Sequence, residues 1–197
     1  STQELGVYEM SDAGLKGILN PGGILLGDRE KGRSGSAIGI ACEGTQPLLV
    51  EVQSLVSTAV YGTPQRSCTG FETRRLNMLL AVVEKRCGFK LGAKDVFLNI
   101  TGGMKIDDPA LDLAVCAAIL SSNADIPIPQ GFAFTGEVGL SGEIRPVNRI
   151  EQRIGEGIKI GFETIYYSQK SKTKTSNQNK NCIQINTMEQ MVASLFG

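Results

Sequence analysis

Residues 95–122 read DVFLNITGGMKIDDPALDLAVCAAILSS, and this stretch decides the fold class. Residues 95–100 combine β-branched, aromatic and aliphatic side chains, which predicts a buried-type strand. Thr101-Gly102-Gly103 ends it, and a polar loop runs through Asp107, Asp108 and Pro109. From Ala110 to Ser122 the chain is nearly all apolar and long enough for a helix buried on most sides. A strand feeding a buried helix needs a sheet and further helices around it.

Outward from this unit, the pattern supplies both. Upstream, 24–26, 36–43 and 47–61 are rich in apolar and β-branched residues and predict strands, with Gly44-Thr45-Gln46-Pro47 as the turn of a hairpin. Residues 62–71 predict a loop. Leu76, Leu79, Leu80 and Val83 then fall at helical spacing in a helix over 72–87, closed by Gly88. Downstream, 132–138 predicts a strand, 140–147 its hairpin partner or a crossing strand, and 149–159 a helix ending at Gly161. Strand 163–168, a polar and mobile loop over 169–181, strand 182–185 and a terminal helix over 188–195 complete the order. At the other end, 4–10 predicts a strand and Ser11 caps a short helix reaching Leu19. The expectation is an α+β fold with mixed sheets and packed helices, with 20–23 as the junction to a short N-terminal tail.

Composition narrows the chemistry. With 197 residues, 41% hydrophobic and 20% charged, the chain can bury a full core. It has no His, which removes His-based triads and His metal ligands. Its five Cys form no CxxC pair, so no zinc or redox motif is expected, and they predict reduced thiols in a cytoplasmic setting. Lys plus Arg equals Asp plus Glu at 20 each, so any nucleic-acid surface must come from local clustering. No apolar run approaches the ~18 residues of a membrane span. The chain opens on Ser1 rather than Met, and we expect it to be a piece of a longer protein.

Two stretches carry candidate chemistry. Gly27-Asp-Arg-Glu-Lys-Gly32-Arg33-Ser34 has the spacing of a phosphate loop. Arg33 replaces its Lys, and a strand rather than a helix is predicted next, so a Gly-rich turn between strands is expected. Thr135-Gly-Glu-Val-Gly-Leu-Ser-Gly-Glu-Ile-Arg-Pro-Val147 frames Glu137 and Glu143 with glycines. The two acids could act as an acid–base pair, but a tight hairpin with solvated carboxylates is the simpler expectation.

TGEVGLSGEIRPV resembles a segment of the proteolytic domain of Lon-type ATP-dependent proteases. The resemblance places their nucleophilic Ser at Ala110 and their Lys at Glu151. A methyl cannot attack and a carboxylate does not replace an amine, so a Lon-like fold without peptidase activity is implied. Residues 79–103, 107–122 and 136–147 together resemble the C-terminal region of the RadA (Sms) family of bacterial DNA repair proteins, and ELGVYEMSDAGL resembles the tail leaving its RecA-like ATPase core.

That resemblance implies residues 1–20 as a tail from an absent core and 21–197 as a non-catalytic Lon-like domain. It implies no cofactor for this chain, with ATP, magnesium and zinc confined to upstream domains. It also implies a homo-hexameric ring, duplex, branched or single-stranded DNA as ligand, and the recombinase RecA as partner. Basic clusters nominate the DNA contacts: Arg74 and Arg75 first, then Arg66, Arg33, Lys31 and Arg29, then Lys172 with Lys170 and Lys174. The rivals are a pure oligomerisation scaffold and an active Ser–Lys peptidase using Ser141 or Ser36.

Overall fold

The computed structural model describes residues 8–11, 14–17, 32–174 and 182–197. Near the N-terminus β1 (Tyr8–Ser11) and β2 (Gly14–Gly17) pair antiparallel, with Ser11 opposite Gly14. The helix expected after Ser11 is thus a strand at these positions. Gly14 and Gly17 each cost a helix about 1 kcal/mol. The expected strand 24–26 lies outside the described residues. So does most of the phosphate-loop-like stretch, whose last residues, 32–34, lead straight into a strand.

The main sheet holds β3 (Ser36–Glu43), β4 (Gln46–Thr58), β5 (Arg66–Thr69), β6 (Lys94–Ile100), β7 (Phe132–Thr135), β10 (Thr164–Ser168) and β11 (Cys182–Ile185). Their order is β11-β10-β7-β3-β4-β6-β5. The β3–β4 and β4–β6 pairs are antiparallel and the other four are parallel. The architecture is therefore mixed α/β. β5 falls where a loop is expected: a short, polar edge strand carries little apolar signal. The strand expected over 132–138 breaks at Gly136 into β7 and a small hairpin, β8 (Glu137–Val138) with β9 (Ile144–Arg145).

Helices cover both faces. α1 (Thr73–Cys87), α2 (Asp112–Ala124) and α4 (Met188–Phe196) join one face in a cluster that includes Leu76, Leu80, Val115, Ile119, Phe134, Tyr166 and Met191. α3 (Ile150–Ile160) covers the other, where Ile150 and Ile154 meet Ile38, Ile40, Leu49, Ile165 and Tyr167. β3 is buried on both faces and reads as a continuous apolar run. β6 is covered on one face only, so Phe97 and Asn99 point outward and the strand alternates.

Gly39, in the middle of β3, lets the sheet approach the helix layer. A Cβ there would overlap the Leu111 side chain and lie 3.0 Å from the Ala114 Cβ. Gly39→Ala should therefore cost about 1–3 kcal/mol by overpacking, read as a lower urea midpoint at constant m. Gly44, at φ 58 in the β3–β4 turn with open space around it, should accept Asn with little loss.

Candidate functional site

The two motifs of the sequence meet as one unit. A 3-10 turn, Pro109–Leu111, opens the buried helix α2. Gly136 N–H donates to the Ala110 carbonyl at 2.9 Å, and Leu113 N–H donates to the Gly136 carbonyl at 3.1 Å. A Cβ on Gly136 would lie 3.0 Å from Ile144 and 3.3 Å from Leu113, so a larger residue would press on both side chains at this docking. Ala110 at its centre is fully buried.

Two ion pairs lock the unit from either side. Asp108 receives hydrogen bonds from Ala110 N–H at 3.0 Å, Cys42 N–H at 2.7 Å and Arg153 Nη1 at 2.6 Å. Arg153 is 1% exposed. Its other donors reach the Ile40 carbonyl at 3.1 Å, the Asn148 carbonyl at 2.8 Å and Asn148 Oδ1 at 2.7 Å. On the far side Asp112, fully buried, accepts from Arg75 Nε at 2.6 Å, from Arg75 Nη2, and from Val138 N–H at 3.1 Å. Burial pushes the Asp112 carboxyl above its ordinary range, and the Arg75 and Val138 hydrogen bonds oppose that push. Arg75 also lies 3.7 Å from Glu137.

Glu151 stands on the exposed first turn of α3. Its Oε1 accepts from the Thr173 hydroxyl and from Lys174 N–H. Glu143 lies in the β8–β9 turn. Backbone N–H bonds, its own and that of Ser141, hold its carboxyl below its ordinary range, with Arg145 at 3.1 Å assisting. Glu137 and Glu143 thus have separate cationic partners, as a structural hairpin requires.

The basic candidates fare differently from one another. Arg75 has its guanidinium committed to Asp112 and Glu137. Arg74, its neighbour, is exposed at the start of α1. Arg66, on edge strand β5, donates from Nη2 to the Leu91 carbonyl at 3.3 Å. Arg33 is exposed beside a cavity of about 340 Å³ that Ser36, Glu51 and Gln53 also line. Lys170, Lys172 and Lys174 are exposed on the segment that Glu151 holds. Arg29 and Lys31 lie outside the described residues.

Sequence reasoning missed Arg153, Asp108 and Asp112 as a set. The signal existed: Asp112 heads an otherwise apolar run, and Arg153 falls on the buried stripe of α3 between Ile150 and Ile154. Among the described residues no group of three Cys, Asp or Glu could hold a metal ion, and no helix is long and apolar enough to cross a membrane.

Removing Arg153 would strand the Asp108 carboxylate at the meeting point of three elements. Arg153→Met should cost about 3–5 kcal/mol in denaturant unfolding. Arg153→Lys should recover only part of it, because an ammonium cannot replace a fork that makes four bonds. A loss under about 1 kcal/mol for Arg153→Met would mean that the clamp does not organise the site.

The family model described as subunit ChlI of Mg-chelatase matches residues 50–171, well over half of the chain. A Streptococcus pneumoniae protein described as DNA repair protein RadA is 44% identical over 197 residues, 100% of this chain and 47% of its own length. A Streptococcus pyogenes serotype M3 protein of the same description is 48% identical over 84% of this chain and 37% of its own length. The Bacillus subtilis protein of that description is 47% identical over 83% and 36%. The chain thus spans less than half the length of these curated relatives. With a matched family model across its central sheet and helices, and this identity along most of its length, the chain belongs to the ChlI-type domain family and to the RadA family.

Proposed function

We propose that this chain is the Lon-protease-like, non-catalytic domain of a RadA-type DNA repair ATPase, and that it helps assemble a hexameric ring and contacts DNA during branch migration. The observation that carries the loss of catalysis is Ala110. Its methyl occupies the position where the resemblance puts a nucleophile, fully buried between two clamped carboxylates. Glu151, at the position of the amine, is engaged with Thr173 and Lys174. The relatives' description as DNA repair proteins supports a role on DNA. In this reading ATP, magnesium and zinc are handled by parts of RadA proteins outside this span, RecA is the partner in recombination, and the setting is cytoplasmic.

A serine beside a cavity favours the peptidase rival, and its surroundings oppose it. Ser36 donates to Glu51 Oε1 at 2.7 Å beside the 340 Å³ cavity. The neighbouring Gly35 N–H, the obvious oxyanion donor, is taken by the Ser121 hydroxyl at 2.9 Å. Ser141 is exposed in the hairpin turn, and its N–H serves Glu143.

Thiol chemistry offers no replacement. Burial raises all five thiols, Cys87 to about 11 and Cys116 well above its ordinary value. Native protein treated with Ellman's reagent should leave Cys87 and Cys116 unreacted until denaturant is added. Rapid reaction of either in the native state would expose a nucleophile this reading denies.

Incubation with unfolded casein should give no turnover above buffer, and a fluorophosphonate probe should not label the chain. Labelling at Ser36 or Ser141 that tracks with casein cleavage would establish the peptidase reading instead. In fluorescence anisotropy at 50 mM salt, the chain should bind a 30-base-pair duplex weakly and without sequence preference. Absence of any binding there would leave the scaffold reading standing.

A further inference from the structure

The position that the resemblance assigns to a catalytic amine holds Glu151, and Glu151 fastens a lysine-rich segment. Its Oε1 takes the Thr173 hydroxyl and the Lys174 N–H. The same segment is pinned one turn earlier. Ser168 hydroxyl donates to the Ile144 carbonyl at 2.7 Å, Lys170 N–H donates to Ser168 Oγ at 3.2 Å, and Gln169 N–H donates to the Ile185 carbonyl at 2.9 Å. Residues 168–174 therefore run from the end of β10, past β9, to the first turn of α3. This path brings Lys170, Lys172 and Lys174 to the same end of the fold as Arg145 on β9 and Arg149 at the N-cap of α3.

All five are exposed. Arg145 pairs with Glu143, and among the described residues no carboxylate forms an ion pair with the other four. Among the described residues, Glu143 and Glu151 are the acids bonded within this surface, two against five cations. Arg149 is held at φ 54, a left-handed backbone that a non-glycine residue adopts only at a cost in strain. That conformation persists where glycine would fit more easily.

Resting on the DNA-contact reading above, we infer that the surface formed by Arg145, Arg149, Lys170, Lys172 and Lys174 is where this chain meets the phosphate backbone of duplex DNA. It displaces the Arg74/Arg75 pair from first place, because Arg75 is committed to buried Asp112. Neutral to the sequence it contacts, such a patch gives binding governed by counterion release.

The test compares two variants of the 197-residue chain by anisotropy with the duplex, from 50 to 200 mM salt. The patch variant carries Arg149→Gly, Lys170→Gln, Lys172→Gln and Lys174→Gln. All four positions are exposed, and glycine relieves the backbone at 149, so the fold is retained; circular dichroism and the urea midpoint verify this. The control carries Arg66→Gln, Arg74→Gln, Lys85→Gln and Lys90→Gln, removing equal charge along β5 and on or beside α1, outside the proposed surface. With about three phosphates contacted, the parent should lose roughly 40-fold in affinity across this salt range. The patch variant should lose only a few-fold across it and bind at least about tenfold more weakly at 50 mM. The control should follow the parent. If the parent binds and the patch variant matches it, or if the control weakens as much, the assignment of this surface is overturned. If the parent itself fails to bind, the DNA-contact reading fails with it. The anchor has its own sign. Glu151→Gln keeps an acceptor and removes a repelling charge, so it should bind more tightly than the parent. Glu151→Ala should bind more weakly than Glu151→Gln, and equal binding by the two would overturn the role of Glu151 as the anchor.

Discussion

Arg153 reaches from α3, on one face of the sheet, through the end of β3 to Asp108, which opens the turn into α2 on the other face. No apolar side chain could make that connection. The guanidinium donates to the Ile40 carbonyl of β3, which also accepts the Thr135 hydroxyl of β7 at 2.9 Å, so one β3 acceptor links α3 and β7. The Asp112–Arg75 pair ties α1 to α2 and to the β8–β9 hairpin in the same way. Buried ion pairs add modestly to net stability because desolvation offsets attraction, but they fix geometry sharply, since any other arrangement strands a charge. Here they fix the backbone on both sides of residue 110.

The consequence for chemistry follows from residue type. An active Ser–Lys site needs a hydroxyl with room for a substrate carbonyl and an amine kept neutral by its surroundings. In this chain Asp108 and Asp112 flank position 110 in the sequence, each held in an ion pair, and carboxylates favour a charged rather than a neutral amine. Ser at 110 would be fully buried, whereas Lys at 151 would stand on an exposed turn where solvation keeps its amine charged. Glu151 there serves as hydrogen-bond acceptor for the Thr173 hydroxyl and the Lys174 N–H.

The helices and most strands were legible because their patterns are local. Leu76, Leu79, Leu80 and Val83 fix α1, and glycines 88 and 161 take up the left-handed caps expected of them. The short polar strand β5 was not legible, since its pairing with β6 depends on backbone alone. Nor was the break at Gly136, which is set by the approach of Leu113 and Ile144 from elsewhere in the chain. The strand at Gly14–Gly17 reversed a helix expected from the cap at Ser11. For the site, the motif alone nominates Ala110 and Glu151 as candidate positions. The partners of Arg75 could not be located in this way, because Asp112 lies 37 residues away and only the fold brings them together. A basic residue is legible in sequence; whether its charge is already spent is not.

The register between β3 and β7 joins only two residue pairs, Ile38 with Ala133 and Gly39 with Phe134. On one side of this seam lie β3, β4, β6 and β5, and on the other β7, β10 and β11. So short a ladder leaves the join to the helices. α3 spans it, with Ile150 and Ile154 against Ile38, Ile40 and Leu49 as well as Ile165 and Tyr167. On the opposite face Met188 and Met191 of α4 share one cluster with α1 and α2. The two halves of the sheet therefore cannot part without uncovering both helix layers, and the amide protons at the seam owe their protection to side-chain packing more than to the ladder itself.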